Sequence, residues 1–328
     1  VLVAGLLRAD DKKPTGDRAD QFKAVQKEFL DQQAEFMKAI QSATTDEQRH
    51  AAMGKRPNPT TFAPRVQKLI DDNPSDGVAG EALVWLVQYG PANRMGDYYR
   101  GLAEHHLNAA NVGLACQIAG MRGGGDAEKF LRQVAEQSKS ADGRGFARFA
   151  LASVLHDKAG SAGAGDRAAA LDAEAVKLFE QVLRENAELR GLSGARIGEE
   201  AKATLFEIQH LAVGMVAPEV LSKGLDGKPV KLSDYRGKVV LLDIWATWCG
   251  PCRAMIPHER ELAERMKDRP FALISVSVDE KVETIQAFLK TTPMPWVHWH
   301  NGEGGMARDW NIQGIPAFYL LDPKGVIR

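Results

Sequence analysis

Cys249 and Cys252 are the two residues whose type and spacing most directly imply chemistry, and they sit in the run KVVLLDIWATWCGPCRAMIP from Lys238 to Pro257. Val239 to Ile244 is short, apolar and β-branched, as suits a strand covered on both faces, and the change of period after Cys249 suits a helix. Cys249 then stands at a helix N-terminus, where unpaired backbone N–H groups and the helix dipole favour a thiolate over a thiol. That makes it the expected nucleophile. Cys252, one turn further on, is near enough to attack a mixed disulfide on Cys249 and release the partner reduced. Gly250-Pro251 between them keeps the turn tight. The same spacing is half of a zinc site, but zinc needs two more ligands and the only other thiol is the distant Cys116, so no metal is expected here.

One charged residue interrupts the apolar run from Val239 to Trp245, namely Asp243, six positions before Cys249. Buried without a cation, its carboxyl would be pushed up into a range where it could take a proton from Cys252 when that thiol must attack. The alternative is an aspartate solvated at the margin of a sheet. Trp248, beside the nucleophile, is expected to be a partly exposed contact surface and Trp245 to pack in the core. His258 and Glu259, further along the same helix, read as surface or capping groups.

Strand and helix patterns continue around this run. GLDGKPVKLSDYRGK reads as a hairpin with its turn at Asp226-Gly227 and with Val230, Leu232 and Tyr235 alternating toward the core. Phe271–Glu280 reads as a central strand and Glu283–Lys290 as a helix, and alternation of this kind implies a mostly parallel sheet with helices on both faces. His298 and His300 would share one face of an extended segment, with no further ligand nearby to make them a metal site.

These features together resemble a known family. WATWCGPC with the strand before it, and an Ile-Pro at Ile315-Pro316 far downstream, resemble the thioredoxin fold; KLSDYRGKVVLLDIWATWCGPC is similar to its extracytoplasmic TlpA/ResA-like branch, related to the AhpC/TSA redoxins. The resemblance runs from Gly214 to Arg328. It implies an α/β thioredoxin-like fold, a redox-active Cys249–Cys252 disulfide with no other cofactor, and a buried aspartate at Asp243. It also implies a cis bond at Ile315-Pro316, whose backbone, with Trp248, Gly250 and Pro251, would hold an extended segment of a disulfide-bearing partner. Gly-Pro between the cysteines is the thioredoxin dipeptide and implies a reductant. Many members of the narrower branch carry a glutamate three residues after the second cysteine, where this chain has Met255; proton handling would then pass to Asp243. After DPKGVIR the family continues with the rest of a strand and a closing helix, so a continuation past Arg328 is expected.

The part before Gly214 is helical. Phe22, Val25, Phe29, Phe36, Met37 and Ile40 recur at helical spacing between Asp17 and Ala43. MGKRPNPTTFAP is a break, and helices are expected near 61–72, 80–89, 97–108, 111–121, 127–139, 144–158, 168–189 and 198–213, with RGGGD and AGSAGAGD as loops. AEKFLRQVAEQ at Ala127 and AVKLFEQVLRE at Ala175 echo one another, and ARFALASVLHD has the small-residue face of a closely packed helix. Stacked helical hairpins, loosely similar to tetratricopeptide repeats, are the expected architecture. Their spacing of about 48 residues departs from the ~34 of that repeat. Cys116 among small apolar residues reads as an inert buried thiol.

The chain has 328 residues, 44% apolar content and a formal charge of −1, enough for two cores. The expected division is 1–16 as a signal-peptide remnant and linker, 17–213 as the helical domain and 214–328 as the thioredoxin-like domain. Balanced charge without a basic run interleaved with aromatics argues against nucleic acid. VLVAGLLRADDKKPTGD reads as the end of a signal peptide's apolar region followed by a polar spacer, so export to the periplasm or another extracytoplasmic space is expected. Partners would be protein disulfides, plus a membrane electron donor or thioredoxin-like reductant, with tethering through a segment before residue 1. The leading function is disulfide reduction. A helical-repeat interaction protein with a redox-sensing module is the alternative, and a thiol peroxidase a lesser one, since the Pro-x-x-x-Thr-x-x-Cys setting is missing.

Overall fold

A computed structural model describes residues 17–163, 165–302 and 305–328. The apolar start and spacer read as a signal remnant and linker, 1–16, lie outside the described residues. Compactness divides the chain into two units: residues up to Leu155 with Leu189–Gly194, and His156–Glu188 with Ala195–Arg328. The second unit therefore takes in helices that lie on the N-terminal side of the sequence boundary at 213/214.

The first unit is all helical: α1 (Arg18–Ser42), α2 (Asp46–Met53), α3 (Pro59–Asp72), α4 (Gly77–Tyr89), α5 (Met95–His105), α6 (Val112–Arg122), α7 (Gly125–Gln137) and the larger part of α8 (Ala141–Ala162). Short connections make successive helices neighbours, and side-chain oxygens of Asp17, Thr45, Asn58 and Asp76 cap four N-termini. The expected helices are present. In addition, α2 forms in a stretch that the sequence reading left unassigned, started by a capping box between Thr45 and Gln48. An aromatic cluster of Phe29, Phe62, Trp85 and Tyr89 ties α1, α3 and α4 together. The small-residue faces meet as expected. A Cβ on Gly120 would lie 2.8 Å from the Ala150 Cβ, so α6 and α8 approach where only glycine fits. Cys116 on α6 is free, fully buried and pushed far above an ordinary thiol by that burial.

The second unit opens with α9 (Asp166–Glu185) and α10 (Ile197–His210), which pack on each other. A six-stranded sheet follows, in the order β2 (Pro229–Lys231), β1 (Leu221–Gly224), β5 (Val297–His300), β4 (Phe271–Ser277), β3 (Val239–Trp245), β6 (Ala317–Leu321). Its helices are α11 (Gly250–Met266), α12 (Val282–Thr291) and the short α13 (Met306–Asp309). The arrangement is thioredoxin-like, but the sheet is mixed where a mostly parallel one was expected. Only β3–β4 and β4–β5 are parallel; β1–β2, β1–β5 and β3–β6 are antiparallel. The physical reason is connection length: the hairpin and the return into β6 carry no crossover helix of the length a parallel partner needs.

Alternation along β3 sorts its residues between two cores. Val240, Leu242 and Ile244 face one, with Trp299, Trp310 and Leu211. Trp245 faces the other, with Cys249, Cys252, Ile256, Ile285 and Met294. Asp243, two residues before Trp245, is on that second face. Among the described residues no helix is long and apolar enough to cross a membrane.

Candidate active site

β3 ends at Trp245, and four residues later the chain enters α11 with Cys249 as its N-cap. The turn between them is held from below. The Asp279 carboxylate, buried just past the end of β4, accepts from the Thr247 amide at 2.9 Å, from Thr247 Oγ1 at 2.7 Å and from Ser277 Oγ at 2.7 Å. Thr247 is thereby fixed, and Trp248 and Cys249 follow directly. Trp248 is 69% exposed and Trp245 is buried, as expected of the two tryptophans, and Gly250 and Pro251 are exposed.

Cys249 and Cys252 are joined as a disulfide. The Cys249 sulfur accepts from the Cys252 backbone amide at 3.1 Å, the contact an N-cap side chain makes with the first turn of its helix. On reduction that donor and the helix dipole would stabilise a sulfur anion at this position. Cys249 Sγ also lies 3.8 Å from the Ile315 carbonyl oxygen. Ile315-Pro316 is cis, and the Ile315 amide donates to no described residue. The dithiol, Trp248 and the backbone before Pro316 are thus brought to one place from two ends of the unit.

Beneath them lies a polar row inside the sheet. The register sets Asp243 opposite Ser275 and Ser275 opposite His298, so these three side chains stand side by side on β3, β4 and β5. Asp243 is 2% exposed, not solvated at a sheet margin. Burial pushes its carboxyl above the usual range, although hydrogen bonds with Ser275 and Glu259 pull it back. Ser275 Oγ donates to Asp243 Oδ2 at 2.9 Å and accepts from Trp296 Nε1 at 2.8 Å. His298 Nε2 is tied to the Met294 carbonyl and His300 Nε2 to the Asp279 carbonyl.

Glu259 corrects the sequence reading. It was expected at the surface or as a cap, yet it is 5% exposed and hydrogen-bonded to Asp243, while its neighbour His258 is exposed. The buried residues of α11 are Cys252, Ile256 and Glu259, spaced by four and three, which is one stripe of a helix. That stripe was visible in the sequence once Cys252 was taken as facing inward. Ser275, Trp296, Thr247 and Asp279 were also missed, because ordinary polar residues near strand ends carry no motif of their own.

Residues 213–328 match the family described as AhpC/TSA. Thioredoxin-like protein YneN of Bacillus subtilis is 36% identical over 118 residues, 35% of this chain and 68% of that protein. Thiol-disulfide oxidoreductase ResA of Geobacillus kaustophilus is 30% identical over 135 residues, 41% of this chain and 78% of that protein. Among solved structures, a thiol:disulfide interchange protein from Bacteroides sp. aligns with 30% identity and a TM-score of 0.34, over 35% of this chain and 78% of that one.

Proposed function

The chain belongs to the AhpC/TSA family through residues 213–328 and is a thiol-disulfide oxidoreductase of the thioredoxin-like kind; from that premise we propose that it reduces protein disulfides outside the cytoplasm, using Cys249 and Cys252. The observation that carries this reading is the Cys249–Cys252 pair at the start of α11, its N-cap sulfur hydrogen-bonded to the helix and set beside the cis Ile315-Pro316 backbone.

In this reading the Cys249 thiolate attacks one sulfur of the target disulfide, and the other sulfur leaves as a thiolate that takes up a proton. Trp248 supplies apolar contact, and the Ile315 backbone pairs with the target's extended chain. Cys252 then loses its proton to Asp243 and attacks Cys249, which forms the intramolecular disulfide and leaves both target sulfurs reduced. An outside dithiol restores the pair, and no further cofactor takes part. Export is favoured by the composition of Val1–Leu7, an apolar run followed by a polar, proline-containing spacer.

The test is reduction of insulin disulfides by the full chain with dithiothreitol as electron source, alongside Cys249→Ser and Asp243→Asn. The proposal expects no turnover above background from Cys249→Ser and a rate lowered about 100-fold or more by Asp243→Asn, the order of a lost general base. Equal rates in all three proteins would remove it.

A further inference from the structure

Glu259 is a carboxyl group on the inward stripe of α11, two turns below Cys252, with its hydrogen-bond partner another carboxyl group. Two carboxyls can be joined in this way only if one of them carries a proton, since two bare carboxylates have no hydrogen to share and repel each other in a dry site. Which one carries it follows from the rest of the network. The Trp296 indole can only donate, so Ser275 Oγ accepts from it and commits its single hydrogen to Asp243. Asp243 is therefore at the accepting end of the chain Trp296, Ser275, Asp243. Ser275 gives Asp243 a second donor, and among the described residues Glu259 has none but Asp243 itself, so the negative charge is better held on Asp243 and the shared proton on Glu259, donating to Asp243.

The groups that face this pair leave no other source of charge. Among the described residues no lysine or arginine contributes to either carboxyl. His298, in line with Ser275 on β5, is held toward its neutral form by burial. Burial, followed by the neighbouring Asp243 charge, pushes Glu259 well above the usual carboxylate range.

Resting on the reductant reading above, we propose that Glu259 is a positioning residue for the resolving step: it holds one proton against Asp243, so that the pair keeps a single negative charge beneath the dithiol and acts as one base. In that step the Cys252 thiol gives its proton to Asp243 and its sulfur bonds to Cys249 Sγ. The bond from Cys249 to the target sulfur breaks, and the electron pair leaves on the target. The leaving thiolate takes a proton from the doubly protonated pair, which returns to one proton and one charge. Met255, about one turn before Glu259 and exposed, has no part in this.

The experiment uses the reduced full chain and dithiobis(nitrobenzoate), a disulfide whose leaving group is coloured. A first phase of colour reports attack by Cys249 and counts competent protein; a second reports displacement by Cys252. The rate of the second phase is followed from pH 5 to 10. Wild type is expected to show two carboxyl ionisations, as a coupled pair does. Glu259→Gln, which can still donate to Asp243 but cannot ionise, is expected to keep the lower inflection and lose the upper. Glu259→Leu, with its fold checked by circular dichroism, is expected to move the remaining inflection to higher pH because Asp243 loses a donor. Persistence of the upper inflection in Glu259→Gln, or a folded Glu259→Leu superimposing on wild type, would overturn the proposal; should the leucine variant not fold, the glutamine variant decides alone. Absence of a second phase in wild type would instead remove the reductase reading on which it rests.

Discussion

Asp243 has two hydrogen-bond partners, Ser275 and Glu259, and each makes a different demand on it. Ser275 is wholly buried and serves both Asp243 and the Trp296 indole. Ser275→Ala would strip both partners at once, and a buried polar group left unpaired costs about 1–3 kcal/mol. The expected result is an unfolding free energy, from urea denaturation, lowered by that amount, with the inflection of the Cys252 step moved to higher pH. Unchanged stability would mean that water replaces the hydroxyl. Of this site, Cys249, Cys252 and Asp243 were legible in the sequence because their types are scarce in the places they occupy: two thiols one turn apart, one charge in an apolar run. Glu259 was not, because a glutamate on a helix rich in charge looks solvated until the helix is phased against the sheet. The cis Ile315-Pro316 bond became legible only through the family resemblance, since it carries no local signal of its own.

At the scale of elements, strand, turn and helix are held in one geometry by Asp279 more than by the turn's own residues. Three donors converge on a carboxylate that is 2% exposed. Asp279→Ala leaves the Thr247 amide and hydroxyl without an acceptor inside the fold. It is expected to cost at least ~1.5–3 kcal/mol, the range for a hydrogen bond to a charged group, and to slow disulfide reduction by loosening Trp248 and Cys249. Stability from denaturant titration and turnover of insulin should fall together; a variant that loses neither would show that the turn holds itself. In the helical unit the close approach at Gly120 makes Gly120→Val an overpacking change, with an expected cost of about 1–3 kcal/mol by the same titration. The periodic helices were legible because their apolar stripes are long. α2 escaped because eight residues make a short stripe, although its Thr45 and Gln48 box was in plain sight. The antiparallel pairings escaped because strand direction depends on connections that local patterns do not encode.

At the scale of the molecule, α8, α9 and α10 bring a histidine between two carboxylates within the second unit. His156 Nδ1 lies 2.8 Å from Asp172, and Nε2 lies 3.9 Å from Glu207, which in turn accepts from Asn311 at 3.1 Å. Glu207 foremost, and Asp172 with it, hold His156 protonated up to about 9. Since that value is raised above the ~6.5 of an unfolded histidine, the stabilisation is complete below about pH 6.5 and is lost as pH rises through about 9. Asp243 and Glu259 are also raised, and as carboxyls they too lose stability as pH rises, from the ordinary carboxyl range upward. The oxidised chain is therefore expected to melt at lower temperature at pH 9.5 than at pH 6, with His156→Gln removing part of the difference. A melting temperature that rises over this interval would contradict both assignments.

Turnover, and any use of the carboxyl pair in it, depends on a reactive sulfur at the N-cap of α11. The most direct measurement is the rate of iodoacetamide alkylation of Cys249 in the reduced full chain as a function of pH, with modification located by peptide mass. Cys249 is expected to react with a midpoint well below the ~8.5 of a free cysteine, because the Cys252 amide and the helix dipole favour its anion. A midpoint at or above that of a free thiol would contradict the account.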